Sequence, residues 1–230
     1  MGGIWVITSS SGSTKVPSSR RRSFINVTGF VDWNSQLLLT RIDYKEKPID
    51  AARAAFRKVT RQIPQCLVRA DTEANFLVHL RLYHGWRKGY EQTANLKAIR
   101  AVIAETDFST ASDNTSVVYS DNVGFGDCLL SALPRRMHQK LGIHLPNTIR
   151  DRGSHGHKEK MVDTALAADM VVCAYRDPNE WILLVSEDDD LIPPLFTAES
   201  IINLLQSRAM LLRNRMRGNN MLLLDDLEAR

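Results

Sequence analysis

The segment WILLVSEDDDLIPP, residues 181–194, joins an uncharged run to a run of four acids. Residues 181–186 carry no charge, which is typical of a strand that is covered on both faces of a parallel sheet. Glu187 to Asp190 follow directly. Because ligands of open α/β sheets bind outside the carboxyl ends of the strands, the segment predicts a buried strand that ends at a functional acidic edge.

Strand-like and helix-like segments alternate along the rest of the chain. β-branched and aromatic residues predict strands over 24–34 (FINVTGFVDWN) and 75–87 (NFLVHLRLYHGWR). Apolar residues at helical spacing predict helices, the first of them ended by Pro64. These helices cover 49–63, 91–105, 161–175 and 193–206. The alternation predicts an α/β fold with a largely parallel sheet and helices on both faces.

Other parts of the chain give weaker signals. SVVYS (116–120) and IHLPNTI (143–149) resemble strands, and RDRGSHGHKEK (150–160) resembles a polar loop. AMLLRNR (209–215) fits either a last strand or the end of a helix. We predict three parts of the chain: a flexible basic N-terminal extension (1–22), one folded domain (23–214) and a C-terminal extension (215–230).

Composition restricts the class of protein. The chain has 230 residues, 43% hydrophobic and 24% charged, and no apolar run approaches the roughly 18 residues of a membrane span. The apolar piece at residues 4–7 is too short for a signal peptide, so we expect a soluble, cytoplasmic protein. A net charge of +4 suits a nucleic-acid partner. Cys66, Cys128 and Cys173 are far apart, which argues for buried thiols and against disulfides or zinc.

Carboxylates from three distant segments are expected at one sheet edge. Asp32 ends the first predicted strand, and Asp163 begins the apolar stripe of a helix whose start should lie at the same edge. Crowded carboxylates repel one another, and a divalent cation removes this repulsion. Mg²⁺ prefers oxygen ligands and uses one or two carboxylates together with substrate phosphates.

Each acid also has a structural interpretation. Asp163 or Asp190 could cap a helix, and Asp32 could end its strand in a turn with Asn34. Asp189 is expected to face solvent. Asp169 lies on a different helix face from Asp163 and suits a supporting role.

Candidate contacts to nucleic acid lie nearby. Tyr83 could stack on a base, and Arg87 and Lys160 could bind phosphates. Core packing is the alternative for Tyr83, and simple exposure is the alternative for the two basic residues. His155 and His157 could join a metal site, but a flexible surface loop is the simpler interpretation.

Three segments together resemble the NYN domain family, a branch of the PIN-like nuclease superfamily. They are FVDWN (30–34), KEKMVDTALAADMV (158–171) and WILLVSEDDDLIPPL (181–195). The resemblance implies a three-layer α/β/α sandwich and cleavage of phosphodiester bonds, usually in RNA, with Mg²⁺ or Mn²⁺. By position, the catalytic and metal-binding acids would be Asp32, Asp163, Asp188 and Asp190. Asn34, Ser186 and Asp169 would support them.

Glu187 departs from the family pattern, because it stands where the family usually has glycine. Its side chain could change the turn, narrow the pocket or add a ligand. Two alternatives to a ribonuclease stay open. One is a structure-specific DNA nuclease with the same acids, since phosphate and metal contacts are common to RNA and DNA. The other is a non-catalytic RNA-binding or assembly module, which Glu187 would favour if its side chain filled the metal position. A homo-oligomer or a protein partner is compatible with either.

Overall fold

The computed structural model describes residues 23–89, 91–126, 148–151, 157–214 and 221–224. The predicted N-terminal extension and His155 lie outside these ranges. The helices, in chain order, are α1 (Trp33–Leu39), α2 (Pro48–Ala70), α3 (Ala94–Glu105), α4 (Val162–Arg176) and α5 (Ile192–Glu199). The strands are β1 (Phe24–Asp32), β2 (Asn75–Tyr83), β3 (Arg87–Lys88), β4 (Glu91–Gln92), β5 (Val117–Tyr119), β6 (Gly124–Phe125), β7 (Ile149–Asp151), β8 (His157–Glu159), β9 (Trp181–Val185), β10 (Ala209–Leu212) and β11 (Met221–Leu223).

The described residues form a seven-stranded sheet in the order β11-β10-β9-β1-β2-β5, with β6 also paired to β2. All pairs are parallel except β10–β11, which is antiparallel. The register sets Asp32 opposite Tyr83 and Val31 opposite Val185. The carboxyl ends of the three central strands therefore meet at one edge, as the sequence predicted.

Both faces of the sheet are covered by helices, which confirms the predicted α/β class. Along β9, Leu183 and Val185 pack in the core that contains α2 and α3. Ile182 and Leu184, between them, pack in the core that contains α4 and α5. This alternation explains why residues 181–186 carry no charge, since a charged side chain on either face of the strand would be buried in a core.

Helix α2 continues through Pro64 to Ala70, so the prediction that Pro64 ends it is wrong. A proline inside a helix leaves the carbonyl four residues earlier without its usual donor. Here the buried Tyr119 hydroxyl donates to the Thr60 carbonyl at 2.9 Å. A side chain on β5 thus replaces the missing N–H. Sequence rules based on neighbouring residues cannot predict this contact, because Tyr119 and Thr60 are far apart in sequence.

Two further predictions need correction. Residues 150–160 are not simply a loop, because β7 and β8 pair as an antiparallel hairpin. The helix expected over 193–206 ends at Glu199. The segment that fitted either a strand or a helix end is the strand β10.

The predicted domain boundary at residue 214 is also wrong. Met221–Leu223 pair with β10, and Leu224 is almost completely buried. The main chain of residues 221–224 therefore belongs to the folded domain. Among the described residues, no helix combines the length and apolar character needed to cross a bilayer.

Candidate functional site

Asp32 is the most central acid at the carboxyl edge of the sheet. It ends β1 and caps α1, since its Oδ1 accepts the Ser35 backbone N–H at 3.2 Å. Its Oδ2 accepts the Ser186 hydroxyl at 2.9 Å. Only 8% of the residue is exposed, and this burial raises its pKa above the usual value although the serine contacts act in the opposite direction. Asp32 is therefore a costly buried acid held in a fixed orientation.

Ser186 connects Asp32 to the acidic run. This fully buried residue follows β9, and its hydroxyl oxygen accepts the Asp188 backbone N–H at 3.0 Å. Asp188, half-buried, in turn caps a short 3-10 helix by accepting the Asp190 N–H at 2.9 Å. The alternative that Asp190 caps the next helix is wrong, because Leu191 occupies the N-cap of α5 and makes no side-chain cap.

Asp163 lies in the first turn of α4 and is largely exposed. Burial of its carboxyl group raises its pKa, and four neighbouring acids raise it further. In decreasing order of effect, these are Asp32, Asp188, Glu159 and Asp190. The four acids predicted from sequence therefore share one electrostatic environment, although Asp163 reaches it from an exposed position.

The N-cap of α4 is Met161, so the alternative that Asp163 caps the helix is wrong. Met161 adopts a φ of 66°, the left-handed region that side chains other than glycine rarely occupy. This turn redirects the chain from β8 into α4.

The acids at this edge do not form one tight cage. Among the described residues, three metal-ligating side chains have ligand atoms within 4.8 Å of one another only at Cys173, Asp177 and Glu180. Glu180 precedes β9, so that group lies at the opposite edge of the sheet. The carboxylate oxygens at the acidic edge nevertheless suit Mg²⁺ or Mn²⁺, because Mg²⁺ keeps several waters and binds few protein ligands. Asp32, Asp163, Asp188 and Asp190 are the residues that could hold such an ion.

Glu187 does not add its carboxylate to the acidic edge. Its Oε1 accepts the Asn214 backbone N–H at 2.6 Å and the Asn214 side-chain amide at 3.1 Å. Its backbone carbonyl accepts a hydrogen bond from Arg213, which also pairs with Asp189 at 2.6 Å. The residue that departs from the family pattern thus ties the end of β9 to the end of β10.

Asp189 is 82% exposed, as predicted. Its salt bridge with Arg213 lies away from the contacts of Asp188 with Ser186 and Asp190. Asp190 is exposed as well, so exposure does not distinguish Asp189 from both of its neighbours; only Asp188 is half-buried.

The prediction that Tyr83 contacts nucleic acid is wrong. Tyr83 is completely buried, stacks on Phe30 and donates its hydroxyl to Asp169 Oδ2 at 2.9 Å. A base cannot reach its ring. Asp169, on α4, is buried as well. Its carboxylate therefore lies in the core, which fits a supporting role.

The remaining predicted residues lie around this edge. Asn34 is half-buried in the first turn of α1. Arg87 is half-buried in β3 and its backbone N–H donates to Thr148, while Lys160 is exposed directly after β8. His157 lies in β8, and its side chain lies outside the described part of the chain.

Sequence reasoning missed His84 and Glu159. The His84 Nδ1 atom lies 2.5 Å from Glu159 Oε1, and the Gly85 backbone N–H donates to the same oxygen at 2.7 Å. The rule that selected Asp32 could have selected His84, which follows the end of β2. No local pattern indicates Glu159, because its position depends on how the β7–β8 hairpin docks.

Comparisons with known proteins give no relative. No family model, curated protein or solved structure matches this chain. The three sequence segments and the geometry of the acidic edge are therefore the basis for a functional assignment.

Proposed function

We propose that this chain is a PIN-like, metal-dependent nuclease that hydrolyses phosphodiester bonds, with RNA as the favoured substrate. One observation carries the proposal: the Ser186 hydroxyl, after β9, donates to Asp32 at the end of β1 and accepts the Asp188 backbone N–H, so acids from distant segments meet at one edge. Such convergence at the carboxyl edge of a parallel sheet is the arrangement expected of a functional site.

The chain's own residues would prepare this site before any ion binds. The N–H of Ser35 and the hydroxyl of Ser186 hold the two oxygens of Asp32, which fixes the carboxylate plane. When bound there, Mg²⁺ or Mn²⁺ supplies Lewis-acid activation of water and charge neutralisation at phosphate. Lys160, exposed three residues before Asp163, suits contact with a phosphate of the substrate backbone.

The position of Glu187 supports a catalytic role over a purely binding one. A non-catalytic module would be favoured if the Glu187 carboxylate filled the cation position. Its contacts with Asn214 direct it to the end of β10 instead.

The test is cleavage of labelled RNA and matched DNA oligonucleotides by the purified chain, with Mn²⁺, Mg²⁺ or EDTA. We expect cation-dependent cleavage of RNA above DNA. Asp32→Asn and Asp188→Asn should each lower the rate by more than about 100-fold. Removal of a residue that only hydrogen-bonds to a metal ligand costs at most about that much.

The matched control is Asp71→Asn. Asp71 also accepts backbone N–H groups, from Glu73 and Ala74, but it precedes β2 at the opposite edge of the sheet. This variant should cleave at the wild-type rate. Equal cleavage by all three variants would refute the site, preference for DNA would assign the alternative substrate, and no cation-dependent cleavage of either would refute the function.

A further inference from the structure

His84 and Glu159 lie beside the acidic edge without belonging to the predicted acids. His84 directly follows β2, whose last residue pairs with Asp32. Glu159 ends β8, four positions before Asp163. The main sheet and the β7–β8 hairpin therefore each deliver one of these side chains to the same place.

Two groups contact the Glu159 carboxylate directly, and a third contacts one of those two. Its Oε1 contacts both His84 Nδ1 and the Gly85 N–H, at 2.5 and 2.7 Å. The His84 ring is itself 95% buried, and its Nε2 lies 2.5 Å from the Asn95 side-chain amide. The His84 ring therefore lies between Asn95 at one nitrogen and Glu159 at the other. These contacts fix the orientation of the Glu159 carboxylate. In metal sites, hydrogen-bonded partners behind a ligand fix its orientation in the same way.

Gly85 makes this close approach possible. A Cβ at this position would lie 2.7 Å from Glu159 Oε1 and would overlap Ile149 of β7. Any larger residue would therefore require the side chains of Ile149 and Glu159 to move from these positions.

Glu159 adds negative charge where charge is already crowded. Burial alone would raise its pKa, but the hydrogen bond and charge of His84 and the Gly85 N–H outweigh burial and lower it. Glu159 is therefore ionised at neutral pH. Its charge affects Asp163 more strongly than that of Asp190, one of the four acids predicted from sequence.

We propose that Glu159 is a fifth carboxylate of the acidic edge that strengthens divalent-cation binding, and that His84 is the residue that positions it. This inference rests on the proposed function, because it assumes a cation at that edge. It gives the β7–β8 hairpin a role in the site, because none of the four predicted acids lies on that hairpin.

The test measures Mn²⁺ binding to the full chain by isothermal titration calorimetry, without nucleic acid. Glu159→Gln keeps the shape and an oxygen acceptor for Gly85 but removes the charge, and it should weaken binding by about 10-fold or more. Glu105→Gln is the control, because Glu105 also pairs with a basic side chain, Arg53, but lies at the exposed end of α3. It should bind Mn²⁺ as the wild type does.

A second pair of variants tests the positioning role. His84→Ala removes the contact with Glu159 and should weaken Mn²⁺ binding several-fold. His84→Asn offers an amide N–H near the position of Nδ1 and should restore most of the affinity. A thermal unfolding curve of each variant separates this effect from loss of the fold, since a purely structural role would make affinity follow stability.

The outcomes separate this inference from the proposed function. Wild-type affinity in Glu159→Gln would refute the inference, and Asp32→Asn could still abolish cleavage. Weakened Mn²⁺ binding without cleavage by the wild type would support the inference and refute the nuclease. Failure of the wild type to bind Mn²⁺ would refute both.

Discussion

Asp32 serves two purposes that oppose one another in the folded chain. Its carboxylate caps α1, which stabilises the helix. The same carboxylate is buried as an anion beside Asp188, and the loss of its hydration is the largest cause of its raised pKa. A position that carries such a cost is expected where function, and not stability, fixes the residue.

We predict that Asp32→Asn stabilises the protein at neutral pH in EDTA. Asparagine is as good an N-cap as aspartate, and it removes the buried charge. The pKa of Asp32 in the folded state is raised above its ordinary value of 3.8. At pH values between these two pKa values, the folded state therefore binds more protons than the unfolded state. Wild-type stability therefore falls as pH rises through this window, and the gain from the variant is largest above it.

Scanning calorimetry at a series of pH values checks this prediction. The Tm of Asp32→Asn should exceed that of the wild type by about 2–4 °C at neutral pH, the shift that about 1 kcal/mol produces in a domain of about 150–250 residues. The difference should shrink as the pH approaches 3.8. Asp71→Asn should change Tm little at any pH, and a lower Tm for Asp32→Asn at neutral pH would contradict the account.

At the residue scale, sequence located the acids that follow strands and missed those that depend on docking. Asp32 and Asp188 could be predicted because strand ends of a parallel sheet meet at one edge. The contact between Glu159 and Gly85 spans 74 positions and depends on the β7–β8 hairpin. The prediction that Tyr83 contacts nucleic acid failed because alternation along a strand does not show that both faces of the sheet are covered by helices at that position.

At the scale of elements, α2 depends on a hydrogen bond from outside the helix. Pro64 cannot donate to the Thr60 carbonyl, and the Tyr119 hydroxyl does so instead. Both residues of this contact are buried, so removal of the hydroxyl leaves the Thr60 carbonyl as a buried acceptor without this donor. An unsatisfied buried acceptor costs about 1–3 kcal/mol.

We predict that Tyr119→Phe destabilises the chain by about 1–3 kcal/mol, measured by urea unfolding. Pro64→Ala restores an N–H that can donate within the helix to Thr60. Tyr119→Phe should therefore cost clearly less in the Pro64→Ala background, and the double-mutant cycle measures this coupling. Equal costs in both backgrounds would show that the hydroxyl does not replace the missing donor.

The elements themselves were largely predictable because their periodicities are strong. The alternation of β2 and the helical spacing of α4 follow from residues that face a core on one side. The predicted end of α2 at Pro64 failed because a residue from β5, 55 positions away in sequence, supplies the missing donor. A rule based on neighbours along the chain cannot contain such a contact.

At the scale of the whole molecule, β11 closes one side of the main sheet. It pairs antiparallel with β10, and Leu224 packs in the core with α4 and α5. Without it, β10 would present unpaired backbone groups, which promote association between chains. The segment first interpreted as an extension therefore protects the sheet.

We predict that truncation after Asn220 lowers stability and promotes aggregation relative to the full chain. This deletion removes β11 and the buried Leu224, whose burial alone contributes about 1.5–3 kcal/mol. Its Tm should fall by at least about 5 °C. Calorimetry with light scattering checks both chains, and equal behaviour would show that β11 contributes nothing to the fold.

The hydrogen bond between Ser186 and Asp32 joins residues 154 positions apart. A ribosome adds about 5–20 residues per second, so roughly 8–30 s pass between the synthesis of Asp32 and that of Ser186. Throughout this interval the nascent chain carries its first acid without β9, Ser186 or Asp188. The acidic edge can therefore be complete only after Asp190 has been synthesised, late in the making of the chain.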